Sequence, residues 1–278
     1  MDFLFLIIIF IFGTIIGSFL NVVSLRFNTG KTVGGRSVCM SCGKKLVWYE
    51  LFPVLSYIFL GGVCSKCKTK ISFQYPLVET ITGFLFVLIS IKILPISDLV
   101  LGLITFTNFN LFWFIFYLII TCILIVISIY DIKHKIIPDQ FVYTFIILAF
   151  ISIFIGQNSW FIVPSFNNLF AGPLLALPFA LIWFISKGTW MGFGDAKLVL
   201  GIGWILGLGL GANAIILSFW IAALVSILWL LATRHTIQPR TEIPFGPYLI
   251  IGMYIVLFYK IQVIDFGLIK EIVFSLFS

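Results

Sequence analysis

From Phe3 to Val23 the chain reads FLFLIIIFIFGTIIGSFLNVV, without a single charge, and runs of this kind recur to the C-terminal end. An uncharged helix of about 20 residues spans roughly 30 Å of hydrocarbon. Period-2 alternation is absent, which excludes a membrane β-barrel. With 62% hydrophobic and 10% charged residues, the chain lacks the polar surface that a water-soluble fold needs. The expected fold is therefore all-α, a polytopic membrane helical bundle in a lipid bilayer.

Eight transmembrane helices are expected, at about 3–23, 76–94, 110–130, 140–156, 168–186, 196–211, 213–232 and 245–260. Asp2 in place of a basic leader, and the lack of a small-residue cleavage site, make the first run a retained helix rather than a signal peptide. The tail beyond Lys260 extends the last helix or lies along the interface.

Charge sets the orientation. The loop after the first run carries Arg26, Lys31, Arg36, Lys44, Lys45, Lys66, Lys68 and Lys70, so it is expected in the cytoplasm, with the N-terminus outside. Alternation then puts Lys133, Lys135, Lys187, Lys197, Arg234 and Arg240 on the same side, and the opposite loops at 95–109, 157–167 and around Leu210 hold no Lys or Arg. Lys92, Lys260 and Lys270 fall towards the far side, where long stems snorkel. The net charge of +7 is explained by this topology, and no nucleic-acid partner is implied.

Between the first two spans stand CMSC and CSKC, giving Cys39, Cys42, Cys64 and Cys67 as two C-x2-C pairs. Two such pairs on turn-like loops suit one tetrahedral structural zinc ion, and nearby lysines would favour the thiolates. The alternative is a pair of disulfides, which a reducing cytoplasm disfavours. The expected division is a first helix at 1–23, a cytoplasmic four-cysteine domain at 24–75 and a membrane bundle at 76–278. Within that domain YELFPVLSYIFLGG is too short and proline-broken to span, and is expected to lie at the interface or re-enter the membrane.

The topology also places two carboxylates at one membrane face. Asp131 ends the third span, and Asp195, in GFGDAK, begins the sixth. Carboxylates at membrane depth are costly unless paired, hydrated or functional. Two adjacent ones do not readily both ionise and so share a proton, which makes one an acid and the other a base for attack of water on a peptide carbonyl. Taken alone, G-x-G-D is most simply a turn with Asp195 as a helix cap. With Asp131 at the matching face, the catalytic reading is favoured. Gly192 and Gly194 would then permit unusual φ angles and close approach of an extended substrate. Asp139, after Ile137-Pro138, is expected to cap or position, and is the alternative carboxylate if Asp131 is dispensable.

Other features have plainer readings. Asn21 is expected to hydrogen-bond between helices, with Gly17 and Ser18 allowing close packing. Cys122 packs, and His134 and His235 are solvated. IPFGPYL is either a rigid entry loop or a helix start.

In order along the chain, GSFLNVV at 17–23, the two C-x2-C pairs, YPLVE at 75–79, Asp131 with IPD ending at Asp139, GFGDAK at 192–197 and PFGPYL at 244–249 resemble the type IV prepilin peptidase family. That resemblance implies a bacterial cytoplasmic-membrane aspartyl protease with Asp131 and Asp195 as its catalytic pair. It implies prepilin or pseudopilin substrates, whose short basic leader is removed after glycine at the cytoplasmic face. It also implies methylation of the new N-terminus with S-adenosylmethionine, with Glu50 and Glu79 as acidic contacts to the leader or the new amine; a lysine partner is the alternative for Glu79. Two rival readings are an ion-coupled transporter using Asp131, Asp195 and Glu79, and a zinc-bearing membrane scaffold without activity.

Overall fold

The computed structural model describes residues 2–30, 32, 34–94, 108–155, 169–233 and 243–263. Residues 95–107 and the opposite-side loop at 157–167, together with Lys31, Arg234, His235, Arg240, Lys270 and most of the tail beyond Lys260, lie outside these residues. The described chain is built of α-helices: α1 (Asp2–Arg26), a short α2 (Leu55–Phe59), α3 (Gln74–Ile93), α4 (Asn108–His134), α5 (Asp139–Ser152), α6 (Ala171–Ser186), α7 (Phe193–Thr233) and α8 (Gly246–Tyr259). Four of them, α1, α3, α4 and α7, contain segments long and apolar enough to cross a membrane. The other long helices, of 14 to 16 residues, reach only about 21–24 Å at 1.5 Å per residue.

Two compact units divide the chain, Met1–Ile129 and Tyr130–Ser278, and the division falls inside α4. In the first unit α1 packs along α3 through small residues. A Cβ on Gly13 would come within 2.8 Å of the Gly83 Cα, and one on Gly17 within 2.9 Å of the Glu79 Cα. Asn21 donates from Nδ2 to the Tyr75 carbonyl at 3.3 Å, the expected link between helices. Such contacts replace the hydrophobic effect, which is weak between helices in lipid. The opposite face of α1 exposes Phe3, Leu4, Ile8, Ile11, Phe12, Ile15 and Phe19.

In the second unit α7 packs against α5, α6 and α8. Glycines on α7 let the backbones approach. A Cβ on Gly203 would meet Gly172 Cα at 2.8 Å, and one on Gly201 would run into the Phe145 ring. α7 runs for 41 residues but is broken at Gly207, where φ is 76° and ψ 178°. The break falls a few residues before the expected gap at 211–213. Glycines at 207, 209 and 211 are equally able to leave the helix, and the pattern alone does not choose among them.

Candidate functional site

The site in the second unit is assembled from the last turn of α4, the turn after it and the first residues of α7 and α8. Asp131 is 4% exposed. Its Oδ2 accepts the Gly246 N–H at 3.0 Å. α4 ends as Lys135 enters the left-handed region at φ 56°, with its N–H on the Asp131 carbonyl at 2.7 Å. The chain then turns through buried Ile137 and extended Pro138 into α5. Ile137 is the spacer of the site. A Cβ on Gly194 would lie 2.8 Å from the Ile137 Cβ, and one on Gly246 would lie 2.8 Å from Asp131 Oδ2 and 3.4 Å from the Ile137 Cδ1.

Asp195, half-buried, occupies the first turn of α7, and the charge of Asp131 bears on it directly. The two expected catalytic carboxylates are therefore close enough for one charge to act on the other, with Ile137 packed beside Gly194 and Gly246. α7 begins at Phe193, so Asp195 stands inside the helix and is not its cap; its N–H bonds the Gly192 carbonyl at 3.3 Å. Neither Gly192 nor Gly194 has a positive φ. Conformational freedom is thus not what these positions need. Gly194 makes room for Ile137, and Gly192 keeps open space beside Asp195, where a Cβ would be 3.9 Å from Oδ2.

Asp139 is not a cap either. It is the first residue of α5, Pro138 holds the N-cap position, and no side chain caps the helix. Lys197 draws the carboxylate away: its Nζ lies 2.6 Å from Asp139 Oδ1, over the Tyr143 ring at 4.6 Å and near the Phe193 ring at 5.4 Å. This contact joins the starts of α5 and α7. Sequence reasoning missed Gly246 as the amide partner of Asp131. The signal was the PFGPYL stretch, which was singled out but given no specific partner.

In the first unit the sequences VCMSCGKK and VCSKCKTK fold into two matching knuckles. Val38 bridges Lys45 in one and Val63 bridges Lys70 in the other. In each, the first cysteine's amide bonds a carbonyl five residues on, and its carbonyl accepts an amide four residues on. Gly43 and Lys68 occupy equivalent positions at φ 67° and 58°. The four sulfurs of Cys39, Cys42, Cys64 and Cys67 lie within 4.8 Å of one another, with no disulfide among them. Four Zn–S bonds of about 2.3 Å put tetrahedral sulfurs about 3.8 Å apart. The Cys39 and Cys67 sulfurs are 3.7 Å apart, so the donor set fits zinc.

Two of the four thiols are drawn towards the thiolate and a third away from it. Thr69, through its hydroxyl and amide, brings the Cys67 thiol down to about 6, and the Cys42 and Ser41 amides lower Cys39. The Lys44 amide pulls Cys42 down too, but burial and the crowded sulfurs push it up to about 11. The lowering comes from amides and a hydroxyl rather than from the lysine ammonium groups expected.

Glu50 is an internal brace of this domain. It accepts from Lys44 Nζ at 2.6 Å, from the Ser65 hydroxyl and from the Val47 N–H at 3.0 Å. Lys44 belongs to one knuckle and Ser65 to the other, and they hold the Glu50 carboxyl down at about 2, with Lys44 the largest cause. Glu79 is 7% exposed, and its partners are the Ser18 side chain and the Val54 N–H at 2.7 Å, not a lysine.

The chain is similar to known proteins over most of its length. The model of the bacterial peptidase A24 N-terminal domain matches residues 11–93, and that of the type IV leader peptidase family matches residues 118–230. A prepilin leader peptidase/N-methyltransferase of Bacillus subtilis (strain 168) is 30% identical over 261 residues, covering 93% of this chain and 96% of its own length. One of Vibrio cholerae is 31% identical over 275 residues, with 93% and 98% covered. No solved structure matches the chain. Similarity of this degree over nearly the full length of both relatives shows that the chain belongs to the type IV leader peptidase family.

Proposed function

We propose that the chain removes the basic leader of type IV prepilins or pseudopilins after glycine, at the cytoplasmic face of the bacterial membrane, and methylates the amine so released. The observation that supports the peptidase reading is the nearness of Asp131 to Asp195, with the Gly246 N–H fixing one oxygen of Asp131. The ionised member of the pair takes a proton from water as that water attacks the scissile carbonyl. The protonated member donates to the developing oxyanion, and the amine leaves with a proton. Gly192 leaves room for an extended substrate backbone next to Asp195. Asp139 serves as a positioning residue through Lys197.

Eight passes, with the N-terminus outside and the four-cysteine domain in the cytoplasm, fit the charge pattern. The broken α7 supports two of them, because 41 residues reach about 60 Å, twice the hydrocarbon thickness. Zinc held by the four cysteines would be structural, clipping the two knuckles together. S-adenosylmethionine supplies an electrophilic methyl group to the new N-terminus. The segment between the knuckles, with Trp48, Phe52, Leu55, Ile58 and Phe59 exposed, rests at the membrane interface.

The test is co-expression of a prepilin with wild type, Asp131→Ala or Asp195→Ala, followed by mass spectrometry of the pilin N-terminus. Loss of leader removal in both variants is expected. Cleavage retained in either would remove the pair, and an active transport or scaffold role would be indicated instead. Cleavage without an added methyl group would remove the second activity alone.

A further inference from the structure

Two buried carboxylates fasten the ends of one short stretch of the first unit, ELFPV at 50–54. At its start Glu50 accepts from Lys44 of one knuckle and from Ser65 of the other, and these two partners lie together only while the knuckles do. At its end the Val54 N–H donates to Glu79 Oε2 at 2.7 Å, and the same carboxylate bonds the Ser18 side chain. Glu79 belongs to α3 and Ser18 to α1. The stretch therefore runs from the four-cysteine knuckles to the packed helix pair.

Between these fastenings the backbone is forced. The Leu55 N–H donates to the Pro53 carbonyl at 2.6 Å, closing a three-residue turn about Val54 at φ 60° and ψ −52°. This is the γ-turn of the rare, strained kind. The other described non-glycine residues with positive φ are asparagine or lysine, and Val54 alone among them is β-branched. Such a conformation persists where surrounding contacts over-determine it. Pro53 does not absorb the twist, because its ring fixes φ at about −65°. A valine freed at one end returns to negative φ, so the turn has two discrete states. Leu51 and Pro53 also line an open groove with Ile15, Ser18, Phe19 and Val22 of α1, and the state of the turn sets where that wall lies.

We propose that residues 50–54 form a strap through which the zinc site and the α1–α3 pair act on each other. The inference rests on the zinc reading above. With zinc clipping the knuckles, Glu50 fixes one end, Glu79 fixes the other, and Val54 is held in its strained turn. When zinc leaves, the knuckles part and Glu50 loses one of its partners. Val54 then relaxes, and Leu51 and Pro53 draw back from α1. Coupling of this kind is reciprocal. Zinc binding works against the strain, so a change that removes the strain tightens zinc. Backbone strain of this order shifts an equilibrium about fivefold or more. A Glu79 that only stabilised the fold would have the opposite signature, weaker zinc once it is lost.

The full-length protein in nanodiscs is compared with zinc bound and with zinc removed by a chelator, and amide hydrogen exchange is followed in peptides covering 51–59. Stripping zinc from wild type should speed that exchange about tenfold or more. Val54→Gly, which takes positive φ without strain, should hold zinc about fivefold or more tightly than wild type in competition with a chromophoric chelator. Glu79→Met, which removes the acceptor, should exchange fast at 51–59 even when loaded, and should hold zinc no less tightly than wild type. Circular dichroism checks the helix content of each variant. Exchange at 51–59 that ignores zinc, wild-type zinc affinity in Val54→Gly, or weaker zinc in a helical Glu79→Met would each overturn the strap. Wild-type protein that takes up no zinc would overturn the zinc reading, and the strap with it.

Discussion

The Gly246 N–H donates to Asp131 Oδ2 at 3.0 Å, across 115 positions of sequence. This one bond ties the start of α8 to the end of α4 and fixes the carboxylate whose charge acts on Asp195. A Cβ at position 246 would stand 2.8 Å from the same oxygen, closer than real Cβ contacts allow. Gly246→Ala is therefore expected to displace Asp131 while leaving the helices intact. Leader removal in a prepilin cleavage assay should fall by about tenfold to a hundredfold, in the range of a misplaced catalytic group. Wild-type rates in Gly246→Ala, with unchanged folding, would show that Asp131 does not need this amide.

Asp139 works through Lys197 rather than as a cap, and the two roles give different mutant patterns. A cap tolerates Asn in place of Asp, whereas an ion pair does not. Asp139→Asn and Asp139→Ala should therefore behave alike, each costing about 0.2–1 kcal/mol, because the Asp139 side chain is 66% exposed. The exchange Asp139→Lys with Lys197→Asp should recover part of that loss in a thermal-shift measurement. If Asparagine retained full stability and Ala alone lost it, the capping role would stand.

How far the sequence disclosed this site depended on the kind of interaction. The nearness of Asp131 and Asp195 is legible because isolated charges at the ends of apolar runs have few alternatives and charge topology puts both on one face. Cysteine spacing likewise predicts the cluster of four sulfurs, because two C-x2-C turns have one economical way to bring their thiols together. The partners of Asp139, Glu50 and Gly246 are not legible in the sequence. Each depends on a partner far away in the fold or on local packing, Lys197 at 2.6 Å, Lys44 with Ser65, and the Asp131 carboxylate, and no local pattern encodes those. The break in α7 at Gly207 rather than a few residues later is another such case, since packing chooses among similar glycines.

Gly43 and Lys68 hold the same turn position in the two knuckles, yet only one of them is glycine. A left-handed conformation costs an ordinary residue about 1 kcal/mol relative to glycine. Gly43→Ala should accordingly weaken zinc retention by up to about fivefold, while Lys68→Gly should hold it or improve it. Competition with a chromophoric chelator measures both. Equal retention in wild type and Gly43→Ala would mean that the first knuckle does not require its left-handed turn.

The segment between the knuckles exposes Trp48 at 74%, Ile58 at 63% and Phe59 at 84%, next to exposed Lys45, Lys66, Lys68 and Lys70. An apolar patch rimmed by lysines suits an anionic membrane surface, with the rings among the headgroups and the ammonium groups on phosphate. A benzophenone amino acid placed at position 59 of the full-length protein in nanodiscs should crosslink chiefly to lipid, and one placed at position 41 should not. Raising the fraction of anionic lipid should increase the yield at 59, and high salt should reduce it through screening. Lipid adducts equal at both positions, or none at 59, would take this segment off the membrane and leave its aromatic side chains facing a protein partner.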